Sequence, residues 1–363
     1  MYTITTIESQ KQEQRMPVTN TTYSNPSQLL QRNEELFQGK DILVAGNMDD
    51  SYPAHLQSLA NSSTFCFSDY RHFCAIRKQL TTSEAIFTDS YQGDKKFELL
   101  LIFIPKAKKE VQYLLASLTP HLQQGAPIVL VGEKKCGIKS AGSLLKPYTE
   151  TINAIDSARH CSLLYCELTH EVPIFNQNDW IKTYPITIND ITLQICSLPG
   201  VFSHGELDKG TELLLKNLPK KLTGSLLDFG CGAGVIGCYI QKSFPELHID
   251  MVDINAYALT SAKLSLIKNR LNANVFASNV FSNVEKTYNT LLSNPPFHSG
   301  KETDYAAAET FINQSPSYLT PKGTLSIVAN KFLRYEPLLI SSYRDMIISQ
   351  QNNKFKVLTC LKK

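Results

Sequence analysis

The tetrapeptide Asn294-Pro295-Pro296-Phe297 combines the groups needed to present a planar amino group for alkylation. Such an amine is a poor nucleophile, because its lone pair is delocalised into the neighbouring π system. Two acceptors that take both N–H hydrogens turn the lone pair outward, toward an electrophile. Asn294 Oδ1 and the carbonyl of Pro295 are the candidate acceptors. Pro295 and Pro296 stiffen the segment, so the geometry is set before a substrate arrives. Phe297 offers a face for a flipped base. Two adjacent prolines also simply end a strand, and Leu291-Leu292-Ser293 upstream reads as one. His298 is read as pocket wall, and Lys301-Glu302-Thr303-Asp304 as a polar lip.

A second constellation lies upstream, where Gly230, Gly232 and Gly234 follow the apolar run Ser225 to Phe229. Glycines directly after a buried strand let the backbone approach a ligand, and the free amides of the next helix face it. Gly232-Ala233-Gly234-Val235-Ile236-Gly237 also satisfies the dinucleotide pattern G-x-G-x-x-G. Asp228, just ahead of the glycines, would repel a pyrophosphate. S-adenosylmethionine (SAM) carries a cationic sulfonium, which a nearby carboxylate favours. Asp253, ending the next strand, suits the ribose hydroxyls of either cofactor. The Asn-Pro-Pro-Phe segment decides for SAM, since hydride transfer has no use for it. Gly237 is read as a packing glycine. In Ala277 to Phe281, Asn279 suits either the edge of an adenine ring or a plain turn. Val280 or Phe281 is placed to cover an adenine face.

These loops need strands and helices to hold them. Strands are expected at Ser225 to Phe229, His248 to Asp253, Thr290 to Ser293 and Thr324 to Ala329, with a further segment at Asn274 to Phe276. Helices are expected at Val235 to Ser243, Tyr257 to Asn269 and Tyr305 to Gln314. The first half shows the same alternation. A helix from Ser27 to Gln38 stops at Gly39, and buried strands follow at Asp41 to Gly46, Phe97 to Ile104 and Pro127 to Gly132. Helical spacing runs from Glu110 to Leu122. Alternating strand and helix implies an α/β layer with a parallel sheet. Similar strand segments recur in similar order in both halves. That pattern fits a duplicated fold whose first copy lost both chemical loops, or coincidence among α/β segments. After Gly46, Asn47-Met48-Asp49-Asp50 is too acidic and too poor in glycine to hold a cofactor. Ile186-Thr187-Ile188 and Ile191 to Ile195 read as a hairpin around Asn189-Asp190. The expected organisation is a polar, disordered tail over 1–26 and a degenerate domain over 27–168. A linker and hairpin over 169–197 and a catalytic domain over 198–363 complete it.

Composition bounds the function classes. The 363 residues carry a net charge of +3, which permits an RNA partner without demanding one. Lys106, Lys108 and Lys109, then Lys134, Lys135 and Lys139, then Lys220 and Lys221 form local basic clusters near expected strand ends. No apolar run is long enough to span a bilayer. The tail lacks the apolar core of a signal peptide, so a cytoplasmic protein is expected. Nine scattered cysteines include no Cys-x-x-Cys pair, so no metal site is expected.

The chain resembles the guanine-N2 ribosomal RNA methyltransferases. The resemblance covers nearly the whole chain after the tail. It is most specific in Leu198 to Ser203, Gly230 to Val235, Phe276 to Phe281 and Ser293 to His298, with Asp156-Ser157-Ala158-Arg159 similar in the first half. It implies two tandem Rossmann-like class I methyltransferase domains, the N-terminal one degenerate, without cofactor, and used for RNA binding and support. It implies SAM-dependent N2 methylation of one guanine in 16S rRNA, with the assembled small subunit as partner. By position, Asp228, Gly230, Gly232, Gly234, Asp253 and Asn279 would serve SAM, with Phe202 closing over it, and Asn294 to Phe297 would hold the base. Two fused copies can substitute for a dimer, so a monomer is expected. Ser203-His204-Gly205-Glu206 departs from the family's loop, and the N-terminal extension is more than the family needs. The rival readings are the sister enzyme of large-subunit 23S rRNA, a protein glutamine methyltransferase, a DNA adenine methyltransferase and a catalytically silent assembly factor.

Overall fold

Two seven-stranded sheets organise the chain, of which the computed structural model describes residues 23–295 and 302–363, with 302–307 as helix backbone alone. The first sheet contains β1 (Asp41–Gly46), β2 (Ser62–Phe67), β3 (Glu84–Phe87), β4 (Leu99–Phe103), β5 (Pro127–Glu133), β6 (Asn153–Ala158) and β7 (Cys161–Glu167). A hairpin of β8 (Lys182–Ile188) and β9 (Ile191–Ser197) follows. The second sheet contains β10 (Ser225–Phe229), β11 (His248–Asp253), β12 (Asn274–Ala277), β13 (Tyr288–Ser293), β14 (Leu319–Asn330), β15 (Asp345–Gln351) and β16 (Phe355–Leu361).

The strand orders are β3-β2-β1-β4-β5-β7-β6 and β12-β11-β10-β13-β14-β16-β15. Counted from its own first strand, each sheet has the same order. In each, the seventh strand pairs antiparallel with its two neighbours. Two copies of one seven-strand topology make the duplication plain. The middle strands are aliphatic and buried, as in Ile42 to Ala45 and Leu99 to Ile102, because helices cover both sheet faces. In each sheet the order reverses between the first and fourth strands. A crevice therefore opens at the carboxyl ends of β10 and β13, and another at β1 and β4.

Asn189 and Asp190 both have positive φ, the requirement of a two-residue hairpin turn. The inner residues of the hairpin, from Tyr184 to Ile195, join the core of the second unit. The Gln194 and Cys196 amides donate to Asn269 Oδ1 and Ser265 Oγ, each at 2.9 Å. The hairpin is thus part of the wall of the second unit.

The helix expected over Ser27 to Gln38 is shorter, Asn25–Gln31, followed by a 3-10 turn at Glu34–Leu36. Tyr23 and Ser24, expected in the tail, are bound to the first unit. The Tyr23 ring lies edge-on to Tyr52 at 5.4 Å, and the Ser24 amide donates to Asp50. The rest of the expected tail, residues 1–22, lies outside the described residues. No described helix is long and apolar enough to cross a membrane.

Candidate active site

The glycine loop begins where β10 ends. Gly230, Gly232 and Gly234 have φ of +71°, +54° and +84°, a region that side chains with a Cβ rarely adopt. A Cβ on Gly230 or Gly232 would meet open space, so the backbone there is bare toward a cavity. Gly234 stands at the N-terminus of the helix Val235–Ser243. A Cβ on Gly237 would fall 2.5 Å from Met251 Sδ, which makes Gly237 a packing glycine. The loop is pinned to β11, since the Gly230 and Cys231 amides both donate to the Val252 carbonyl, at 2.9 and 3.0 Å.

Asp253 ends β11 on the cavity wall. Its Oδ2 accepts from the Gly232 amide and its Oδ1 from the Asn255 amide, both at 2.9 Å. Burial raises its carboxyl, against the pull of those amides. Asp228 is placed differently from expectation. It does not line the cavity; its carboxylate is fully buried. Oδ2 accepts from the Gly237 amide at 2.9 Å, and Oδ1 has no partner among the described residues. The reason is strand alternation: Asp228 points beneath the helix Val235–Ser243, while its neighbour Phe229 faces the cavity; Gly230 reaches it as part of the loop after the strand.

Burial pushes the Asp228 carboxyl up to about 7. Its contribution to stability is therefore intact below the ordinary value of 3.8 and is lost as pH rises through about 7. Asp228→Asn keeps an oxygen for Gly237 and removes the charge. The melting-temperature difference between variant and wild type should shift in the variant's favour from about pH 5.5 to about pH 8.5. A difference that ignores pH would show that Asp228 is not a buried titrating acid.

Asn294 and Pro295 line the same cavity. The Asn294 Nδ2 group donates to Asp208 Oδ2 at 2.9 Å and to Thr211 Oγ1 at 2.8 Å. An amide that spends both N–H groups this way has only Oδ1 to offer a substrate. Asp208 does two jobs, because the same Oδ2 accepts from the Thr211 amide and caps the helix Lys209–Lys216. Neither Asp208 nor Thr211 stands out in the sequence as a site residue. The signal available was Asp208 as an N-cap, which says nothing of Asn294.

Phe202 lines the cavity and is about half exposed. Asn279 also lines it while closing a turn, its amide donating to Ser282 Oγ at 3.1 Å. Of the two residues expected at an adenine face, Val280 lines the cavity. Phe281 is buried, stacked on Tyr318 at 4.1 Å, and belongs to the core. Phe229 and Phe311, stacked at 4.0 Å, form an apolar wall. Pro296, Phe297 and His298 lie outside the described residues.

The cavity measures about 350 Å³, within the range of small-molecule cofactor sites. Its bare glycines, strand-end acid and apolar walls fit SAM. The matching crevice of the first unit is closed to about 10 Å³, with Tyr91, Leu114 and Leu118 on its walls and Tyr257 reaching in from the second unit. Among the described residues, no three His, Cys, Asp or Glu side chains converge as a metal set.

The basic clusters separate in space. Lys220 and Lys221 precede β10, so they lie at the end of the second sheet away from the cavity. Lys109, after β4 of the first unit, and Lys182, at the start of the hairpin, stand near His204 in the Phe202 loop. Burial first, then these two cations, holds the His204 imidazole below its ordinary value.

Two family models divide the chain. The Methyltransferase small domain N-terminal model matches residues 27–184, and the Methyltransferase small domain model matches residues 192–359. The chain is 66% identical over 348 residues to a ribosomal RNA small subunit methyltransferase C of Psychromonas ingrahamii, covering 96% of this chain and 100% of that protein. It is 44% identical over 337 residues to the protein of the same name from Vibrio vulnificus, covering 93% of this chain and 98% of the relative. Among solved structures, a T. thermophilus 16S rRNA N2 methyltransferase in complex with AdoMet and guanosine aligns with a TM-score of 0.80. Identity is 21%, over 94% of this chain and 92% of that one, a likeness of fold.

Proposed function

The chain belongs to the ribosomal RNA small subunit methyltransferase C family, and from that premise we propose that it transfers a methyl group from SAM to the exocyclic N2 amine of one guanine in 16S rRNA, on the assembled small subunit. The observation that carries the reading is the Asn294 amide, locked by Asp208 and Thr211 on the wall of the glycine-loop cavity.

When bound, SAM supplies an electrophilic methyl group on a sulfonium sulfur. The ribose hydroxyls fall to Asp253, and the backbone of Gly230 and Gly232 gives the cofactor close approach. Asn294 Oδ1 accepts one N–H of the guanine amine, and the Pro295 carbonyl accepts the other. With both hydrogens held, the nitrogen lone pair would face the methyl group that SAM supplies, with S-adenosylhomocysteine as the leaving group. The amine proton would leave to solvent water afterwards, when the alkylated nitrogen is acidic, so no strong base is required. Positioning supplies most of the acceleration, because both partners are held in a near-attack arrangement.

The test is transfer of labelled methyl from SAM to small subunits, large subunits and free rRNA, followed by nucleoside analysis. N2-methylguanosine from small subunits alone is the expected product. Label in 23S rRNA would move the chain to the sister activity, and label only in protein would overturn the RNA reading.

We assign Lys109 and Lys182, which stand near His204 in the Phe202 loop, to RNA phosphates. Lys109→Ala and Lys182→Ala should each flatten the dependence of log affinity for rRNA on log salt by about one. SAM affinity should be unchanged. Slopes equal to wild type would remove these lysines from the interface.

A further inference from the structure

The two units meet through corners that correspond position for position. In the first unit β2 ends at Phe67, Asp69 caps the helix Tyr70–Arg77, and Arg71 is the second helical residue. In the second, β11 ends at Asp253, Asn255 caps the helix Ala256–Asn269, and Tyr257 is the second helical residue. Asp69 and Asn255 form an antiparallel bridge. The Tyr70 amide donates to the Ile254 carbonyl, and the Ala256 amide donates to the Ser68 carbonyl, each at 2.8 Å. Such a reciprocal pair is what a twofold axis between Asp69 and Asn255 generates. Each corner therefore sends its second helical residue into the crevice of the other unit.

The two insertions have opposite consequences. Tyr257 is buried in the crevice of the first unit and helps to fill it. Arg71 stands on the wall of the cavity in the second unit, with nearly half of its side chain exposed at 46%. Its guanidinium is held by Asp69 Oδ2 at 3.0 Å and lies 3.2 Å from His72 Nε2. The corner is also fastened to the end of β12. Asn283 Nδ2 donates to Tyr70 Oη and to the Ala277 carbonyl, both at 2.9 Å. Arg71 thus belongs to the part of the wall formed by Asp253, Ile254, Ser278 and Asn279.

We infer that Arg71 is a cofactor-binding residue supplied by the first unit, closing the adenosine end of the SAM site. The inference rests on the SAM reading above. A planar, weakly hydrated guanidinium pinned at one edge can cover an adenine face or donate to ribose with little loss of side-chain freedom. The degenerate unit then contributes to cofactor binding directly, and the pseudo-twofold contact decides which crevice is filled and which is completed.

The test is calorimetric titration of the full-length wild type, Arg71→Ala and Arg71→Lys with SAM and with S-adenosylhomocysteine, alongside melting temperatures. Arg71→Ala should weaken both ligands about tenfold, because the adenosine is common to them. Arg71→Lys, which keeps the charge beside Asp69 but lacks the planar fork, should weaken both about threefold. In turnover, KM for SAM should rise with kcat retained, the sign of uniform binding. A charge effect alone predicts the reverse for SAM, since removing a cation from the site of a ligand with a cationic sulfonium would tighten it. Tighter SAM binding by Arg71→Ala, or affinities within twofold for both variants at native melting temperature, would overturn the inference while leaving the SAM reading intact. Should Arg71→Ala fail to fold, Arg71→Lys decides alone. A wild type that does not bind SAM would overturn both.

Discussion

Asn294→Ala should lower kcat by about 10³-fold while SAM affinity stays within about threefold of wild type. Asn294 is proposed to accept a hydrogen bond that counts only when the amine lone pair is aimed and the nitrogen acquires positive character. An acceptor of that kind acts on the transition state, so its loss falls on kcat, with about 4 kcal/mol for three decades. The structure adds a reason for a large effect. Asp208 and Thr211 hold the amide in one orientation, so Oδ1 is oriented before the base arrives. Cofactor affinity should survive, because the glycine loop is pinned to β11 and not to Asn294. Single-turnover methylation of small subunits, with calorimetric SAM binding, checks both halves. Full turnover by the variant would remove Asn294 from the mechanism.

Asp253→Ala should weaken SAM about 100-fold, with kcat at saturating SAM close to wild type. Two charge-assisted hydrogen bonds to ribose hydroxyls, each about 1.5–3 kcal/mol, are enough for that loss. A second effect adds to it. The carboxylate also holds the Gly232 and Asn255 amides, so the variant loosens the glycine loop and leaves the backbone amide of the cap residue Asn255 without its acceptor. A fall of a few degrees in melting temperature should accompany the weaker binding. Unchanged SAM affinity would refute the ribose assignment. Strong weakening without any stability change would assign the carboxylate to the ligand alone.

Much of the second unit is legible in its residues. The strands Ser225–Phe229 and His248–Asp253 and the helix Val235–Ser243 fall where the sequence places them. Aliphatic runs ended by glycine or acid have few other structures available. Other strands were not legible, for an equally physical reason. β6 (Asn153–Ala158) and β15 (Asp345–Gln351) are polar edge strands, largely exposed, and their pairing is decided by the neighbour they lie beside. A short edge strand carries little hydrophobic alternation of its own.

The sequence by itself determined the fold class, the two-unit architecture, the glycine loop, Asp253 and the Asn294-Pro295 segment. Each of these is a local demand: positive φ after a buried strand, an acid at a strand end, a proline-stiffened segment where a strand stops. Only the tertiary structure decided which groups surround them. Asp208 and Thr211 meet Asn294 across 86 and 83 positions of chain. Asp228 turns under a helix, although its spacing suggested the cavity. Tyr257 and Arg71 cross between units to fill one crevice and line the other. Such meetings follow from strand order and from a pseudo-twofold contact between distant corners. No local pattern records them, because the separation in sequence between two side chains that touch is set by topology and leaves the residue types at either end unconstrained.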